Sequence, residues 1–323
     1  MKVLVLGGAG YVGRVLLEQL RAAGHSPSVI DLCLFSAPAE LTPVADVKVA
    51  DTRALSLADF EDVETVIDLA AISNDPAGEL DPELTHQINA TTRRRSAELA
   101  RLAGVRRYVL VSSCSVYGAN DEIVTETAPL NPLTAYARCN ALAESDVLKL
   151  NSPHFGVTVF RLATVFGPSP SMRFDLVVNT MALNAFQVGG LRVTGGGEQF
   201  RPLVHVNDVA GAILTGLDDP AERMVGEIFN LGGFNMTMRE VAAAVQRGVG
   251  RPLEITIDAS TIDHRNYRVS FEKAYRAFGF VPRHTVEDGA ASVVRALEDG
   301  SLRSSPLSIR LNGFRRHITE FAV

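Results

Sequence analysis

Short apolar runs recur along the first half of the chain, at residues 2–6, 27–31, 46–50, 65–70, 107–112 and 156–161. Amphipathic stretches separate them, clearest at 11–23, 82–103 and 133–150. In the first of these, Val12, Val15, Leu16 and Leu20 return at helical spacing and share one face. Apolar strands alternating with helices predict a doubly wound parallel α/β sheet, covered by helices on both faces. After Gly167-Pro168-Ser169-Pro170 the texture changes: elements shorten, loops multiply and Gly195-Gly196-Gly197 interrupts the pattern. Helices are predicted there near 207–217, 236–248, 270–278 and 285–298. No internal repeat or low-complexity linker is visible.

The first run ends in Gly7-Gly8-Ala9-Gly10-Tyr11-Val12-Gly13, and a helical pattern starts at once. Strand, glycine turn and helix start form the seat of a dinucleotide pyrophosphate in a Rossmann-type sheet. Glycines let the backbone turn tightly and approach the phosphates, while the helix N-terminus offers free N–H groups and a positive dipole end. Gly7, Gly10, Tyr11, Val12 and Gly13 are therefore candidate cofactor contacts. The second run ends in Asp31, roughly 20 residues beyond the loop, where an acid bonds the ribose hydroxyls of NAD. A carboxylate there repels a 2′-phosphate, so NAD is expected rather than NADP. The alternative is a structural turn, with Asp31 capping a loop.

Composition narrows the class. The 323 residues are 46% hydrophobic and carry a net charge of −6, enough chain for one large core or two moderate ones and a poor match to nucleic acid. No apolar run reaches membrane-spanning length, and the N-terminus enters a strand with no leader pattern. Cys33, Cys114 and Cys139 are odd in number and lack metal-ligand spacing, so no metal and a reducing, cytoplasmic compartment are expected. Lysine occurs only at Lys2, Lys48, Lys149 and Lys273; GC-rich coding is the simplest source of that bias.

Val109–Gly118 runs off a strand end through Ser112-Ser113-Cys114-Ser115, and Pro132-Leu133-Thr134-Ala135-Tyr136-Ala137-Arg138-Cys139-Asn140 opens a helix. With the glycine loop, these segments resemble the extended short-chain dehydrogenase/reductases, in the NAD-dependent epimerase/dehydratase branch that modifies nucleotide sugars. The resemblance extends to Asp68–Ala71, Arg161–Pro168, Arg201–Val209 and Phe229–Gly233, and covers the chain to about residue 300. It implies an NAD-binding domain over 1–167, to which part of 195–232 returns, a smaller α/β substrate-binding region over 168–300, and a C-terminal tail at 301–323. It also implies a homodimer built on paired helices, including the one at 82–103. The Arg93-Arg94-Arg95 run on that helix reads as a solvated face.

In such enzymes a serine or threonine, a tyrosine and a lysine act together. Ser113 and Tyr136 match the first two, but Asn140 stands where the lysine belongs, four residues after the tyrosine. A free tyrosine has a pKa near 10, and a neighbouring ammonium favours phenolate. Without it, Tyr136 is expected to titrate high, with Asn140 positioning the nicotinamide ribose as a neutral group. Loss of redox chemistry, leaving a nucleotide-sugar or dinucleotide binding protein, is the competing class.

Dehydratases of the branch carry an Asp-Glu pair where this chain has Cys114 and Ser115, so dehydration is disfavoured. Oxidation of a sugar hydroxyl remains, most plausibly at C4, in an epimerase or dehydrogenase, or reduction of a ketosugar. The segment Ser169–Asn179 resembles a subgroup acting on GDP-linked hexoses or heptoses, with UDP- and dTDP-linked sugars as other expected substrates. The resemblance further implies Asp51, Leu69, Ala70 and Ala71 beside the cofactor, and Ser73, Ser115, Arg173, Asn179, Arg201 and Arg265 beside the substrate, whose two phosphates call for arginines. Asp51 equally fits a loop cap. Thr164 replaces the asparagine common in relatives, and His205 fits a loop-ordering residue better than an acid or base.

Overall fold

The computed structural model describes residues 1–219, 223–260 and 266–321, with the backbone alone at 319–321. Strands β1 (Lys2–Leu6), β2 (Ser26–Asp31), β3 (Asp46–Val49), β4 (Thr65–Asp68) and β5 (Arg107–Ser113) join strands at Gly156–Leu162 and Ile228–Leu231 in one sheet. Across it the order is Ile228–Leu231, Gly156–Leu162, β5, β4, β1, β2, β3, parallel throughout. β4 is buried along its whole length and β1 from Val3 onward, whereas β3 at the edge is largely exposed. That burial on both faces explains why the inner strands read as unbroken apolar runs.

From β1 the chain moves outward through β2 to β3, then returns to β4 and moves outward the other way. The order reverses between β1 and β4, and open sheets of this kind form a ligand crevice beyond the strand ends at such a point. Helix α1 (Tyr11–Ala22) starts there. The predicted helix at 133–150 is Ala135–Leu148, begun by Thr134, whose side chain accepts from the Ala137 amide at 3.1 Å. The stretch predicted as one helix at 82–103 is divided: Pro82–His86 and Arg93–Leu102 are α-helical, and a π-turn at Gln87–Thr92 joins them. Asn89 in that turn clamps the loop after β4, giving and taking one hydrogen bond with the Ile72 backbone at 2.9 and 2.8 Å.

The second half adds a three-stranded sheet of Thr164–Phe166, Phe200–His205 and Phe234–Thr237, and a parallel pair of Gly190–Thr194 with Glu254–Asp258. Helices Val177–Val188, Met238–Val249 and Val286–Glu298 pack on one another beside them. One apolar core runs from Val5 and Leu16 through Phe160 and Phe229 to Val241 and Val293, so the two walls of the crevice share a foundation. The segment read as a tail ends in a helix, Arg310–Phe321. Leu311 and Phe314, one turn apart, pack it against Leu34, Phe35, Ile72 and Ala77.

Candidate active site

At the glycine loop, two close backbone approaches require glycine. Gly7 has φ +76°, and a Cβ there would lie 2.7 Å from the Ala70 nitrogen; at Gly13 it would lie 2.5 Å from the Gly8 oxygen. The loop after β1 thus presses on the loop after β4 at the point where the strand order reverses. Gly10 caps α1 without a side chain and no acid occupies the first turn, which leaves the helix's positive end to an anion. Asp31 accepts from the Ala9 amide at 3.0 Å and the Cys33 amide at 2.7 Å. Burial pushes its carboxyl above the ordinary value, against the pull of those two amides. These features suit a dinucleotide with a free ribose 2′-hydroxyl. Asp31→Ser is expected to narrow the preference for NAD over NADP by on the order of a hundredfold, because like charges in contact cost several kcal/mol; the ratio of dissociation constants for the two cofactors measures it.

A single cavity of about 640 Å³ runs from this loop across the strand ends, a size suited to small-molecule ligands. Its lining brings together Gly7, Gly10, Tyr11, Val12, Gly13, Asp31, Asp51, Leu69, Ala70 and Ala71 with Ser113, Tyr136 and Asn140, and with Ser73, Ser115, Arg173 and Arg201. Asn179 is fully buried and absent from that lining. Its amide is committed to the fold, accepting from the Gly167 amide at 2.9 Å and donating to Tyr11 Oη at 3.1 Å and Arg173 O at 3.0 Å. Arg265 lies outside the described residues. Asp51 caps the turn Thr52–Ala54, accepting from the Arg53 amide at 2.8 Å.

Tyr136 and Asn140 follow each other on one face of the helix Ala135–Leu148, and Ser113 ends β5. Burial raises the Tyr136 phenol above its ordinary pKa, and the Asp75 carboxylate raises it further; hydrogen bonding from Ser113, the charge of Arg93 and hydrogen bonding from Asn140 act the other way. Arg93 corrects the sequence expectation. It is 1% exposed, not solvated. Its guanidinium bonds Asp68 Oδ2 at 3.1 Å, the carbonyls of Asp68 and Val111 at 3.0 and 2.6 Å, and Asn140 Oδ1 at 3.0 Å. Tyr108 Oη donates to the same Asp68 oxygen at 2.9 Å. A guanidinium has only donors, so the Asn140 carbonyl must face Arg93 and its NH₂ must face the other way. That NH₂ donates to the Tyr136 carbonyl at 3.2 Å. In place of a lysine the site holds a neutral donor backed by a buried, permanently charged group. Sequence spacing placed Arg93 four residues after buried Asn89 and four before buried Ala97, but the face is polar, so hydrophobic periodicity could not mark it.

The remaining candidates divide by partner. Arg173 pairs with Asp175 at 2.8 Å and bonds Ser73 Oγ at 3.2 Å. Burial pushes the Asp175 carboxyl up, but Arg173 and Asn74 bring it below the ordinary range. Arg201 donates to the Phe200 carbonyl at 2.8 Å. The Ser115 hydroxyl is buried with no partner among the described residues, an unused polar group on the cavity wall. Cys114 is fully buried and donates to the Arg161 carbonyl at 3.3 Å; burial pushes its thiol far up, which removes it as an acid or base.

His205 is also off the cavity lining. It accepts from the Asn207 amide at 3.2 Å and stacks on His284 at 4.3 Å between ring centres. Burial first, then the neighbouring His284, pushes its pKa down to about 4. The unfolded chain therefore takes up this proton before the folded one does. Stability is expected to fall as pH drops from about 6.5 toward 4, and His205→Gln to flatten that slope in denaturant titrations.

Comparison with known proteins agrees with this geometry. A profile of the NAD dependent epimerase/dehydratase family matches residues 3–232. The UDP-glucose 4-epimerase of Mycolicibacterium smegmatis is 30% identical, over 93% of this chain and 100% of its own. A UDP-N-acetyl-alpha-D-glucosaminuronate decarboxylase of Bacillus cytotoxicus is 28% identical over 85% of each chain. The solved structure of MoeE5 with UDP-glucose and NAD superposes with a TM-score of 0.81 at 26% identity, over 94% of this chain and 100% of that one. With the glycine loop, the Ser113–Tyr136 pair and the sheet order in place, the chain belongs to the NAD-dependent epimerase/dehydratase family.

Proposed function

We propose that the chain is an NAD-dependent epimerase of a nucleotide-linked sugar, UDP-linked on the evidence of its relatives, acting at C4 by transient oxidation. The observation that carries this reading is one cavity lined by the glycine loop, by Ser113, Tyr136 and Asn140, and by Arg173 and Arg201. Gly7–Gly13 and Asp31 would hold the phosphates and ribose of NAD, which when bound would supply the reversible hydride acceptor for the sugar carbon. Ser113 holds the sugar hydroxyl, and Tyr136 removes its proton and later gives it back. Asn140, oriented by Arg93 and with one N–H held by the Tyr136 carbonyl, has its other N–H left for the nicotinamide ribose. Ser115 supplies a hydrogen bond to the sugar, Arg201 faces its diphosphate, and Arg173, neutralised by Asp175, lines the same cavity beside the substrate. Cys114 and Ser115 leave no carboxyl pair for elimination, which speaks against a dehydratase.

Incubating the purified protein with UDP-, GDP- and dTDP-linked hexoses tests the reading. An isomeric product without net NADH supports it. Accumulating NADH or ketosugar means a dehydrogenase, ketosugar-dependent consumption of NADH means a reductase, and tight binding without product means a binding protein. The same proposal includes a homodimer through the helices Arg93–Leu102 and Ala135–Leu148, where Leu102 and Leu142 stand exposed at 69% and 47%. Sedimentation tests that part. No helix among the described residues is long and apolar enough to cross a membrane, and the three cysteines are free; a cytoplasmic site of action fits both.

A further inference from the structure

We propose that Arg310, on the C-terminal helix, binds the diphosphate of NAD together with the first turn of α1, so that the tail completes the cofactor site. Arg310 is 3% exposed and lines the cavity. It donates to the Leu307 carbonyl at 3.2 Å and to the carbonyl and hydroxyl of Ser171 at 2.9 and 2.8 Å, and its guanidinium lies 3.9 Å from the Phe35 ring centre. None of these partners is a carboxylate. By contrast, buried Arg14, Arg93, Arg161 and Arg173 pair with Glu40, Asp68, Glu144 and Asp175. Asp175 and Asp31 act on Arg310 from a distance without forming an ion pair with it; a buried charge so incompletely compensated is costly, and arginine does not escape the cost by shedding its proton. Burial, with the like charge of Arg173 next, pushes the Arg310 pKa down to about 9. An anion in the cavity removes that penalty.

The surroundings identify the anion. The Ser171 amide donates to Ser169 Oγ at 3.3 Å, and Ser169 Oγ donates to the Tyr11 carbonyl at 2.7 Å. Arg310 is thus tied through two serines to the first residue of α1, whose first turn has neither a side-chain cap nor an acid. On its other side, Phe35 belongs to the loop that follows Asp31 at the end of β2. Gly313 fits closely there: a Cβ on it would come within 2.2 Å of the Phe35 ring. A guanidinium between the phosphate seat and the ribose acid stands where the two phosphates of a dinucleotide pass; with Nη2 held by Ser171, its charge and the remaining N–H groups on Nε and Nη1 are what it offers them. The inference rests on NAD binding and not on sugar turnover, so a protein that binds NAD but converts no sugar still tests it.

The test is Arg310→Met, titrated with NAD, ADP-ribose, adenosine and UDP by calorimetry, with melting curves of the cofactor-free protein. NAD and ADP-ribose are expected to weaken by about 10- to 100-fold, the worth of a charge-assisted hydrogen-bond pair. Adenosine and UDP keep their affinity, and the cofactor-free melting temperature is unchanged or higher because an unpaired buried charge is gone. NAD affinity within threefold of the parent overturns the proposal. So does a loss confined to UDP, which would make the substrate's diphosphate the partner, or a lowered cofactor-free melting temperature with NAD binding intact, which would make Arg310 a structural clamp. If Arg310→Met does not fold, hydrogen exchange of the parent protein decides: slower exchange across residues 310–318 with NAD supports the proposal, and unchanged exchange overturns it.

Discussion

Tyr136→Phe is expected to lower kcat by about a thousandfold, within the range for loss of a positioned acid–base group, while leaving NAD content and the melting temperature close to those of the parent. The substitution removes one hydroxyl that faces the cavity and leaves the ring in place. Because burial and Asp75 hold the phenol above its ordinary pKa, only a small fraction is phenolate at neutral pH. Catalysis through this group therefore rises with pH. The kcat of the parent is expected to climb from neutral to mildly alkaline solution, and the residual rate of the phenylalanine variant to lose that climb. Isomer formation followed across pH, with cofactor content determined on the same samples, checks both statements. A loss of less than tenfold assigns proton transfer to another group.

The second large effect concerns Arg93 and Asn140 together. Arg93→Met leaves the Asp68 carboxylate buried with the Tyr108 hydroxyl as its remaining side-chain partner, a change expected to cost about 3–5 kcal/mol of stability. That is a large share of the roughly 5–15 kcal/mol that holds an ordinary domain together. Asn140→Lys restores the family's residue, yet it is expected to impair the protein as well. The Arg93 guanidinium sits 3.0 Å from Asn140 Oδ1, so an ammonium in that place would meet a like charge and lose the hydrogen bond Asn140 accepts. The double variant puts one cation where one cation was. Its stability is expected to exceed the sum of the single effects by about 1–3 kcal/mol, the range of coupling for residues in contact, and its pH–rate curve to lie to the acid side of that of Arg93→Met. A double-mutant cycle in urea, paired with pH–rate profiles, measures both. Additive effects would falsify the exchange of one cation for another.

The cofactor half of this site was open to reading because its requirements are local. A pyrophosphate seat needs a strand, a turn without side chains and a helix start within thirteen residues, and Gly7, Gly10 and Gly13 meet those needs consecutively. The inner strands were legible for a related reason: burial on two faces leaves them apolar along their length. What stayed hidden depends on neighbours that folding supplies. The partners of Arg93 are Asp68, Val111 and Asn140, which lie 25, 18 and 47 residues from it, so an arginine triplet looks the same in sequence whether its first member is solvated or central. The place of Asn179 after Gly167-Pro168 suggests a substrate residue, whereas its amide braces Tyr11 and Gly167. The tail carried too short an apolar face for its helix to be predicted, and only contact with Phe35 and Ile72 gives Phe314 a reason to be there.

With Asn140 where the family resemblance implies a lysine, and no lysine on the lining, the pocket has no primary amine. Lys2, Lys48, Lys149 and Lys273 all sit in surface ion pairs, with Asp62, Asp59, Asp146 and Glu227, and none lines the cavity. Open-chain sugars and ketosugars condense with amines but far less readily with a guanidinium that keeps its proton. The proposed catalytic centre should accordingly withstand glycation and aldehyde reagents, which makes reductive methylation a gentle way to label this protein while it continues to work.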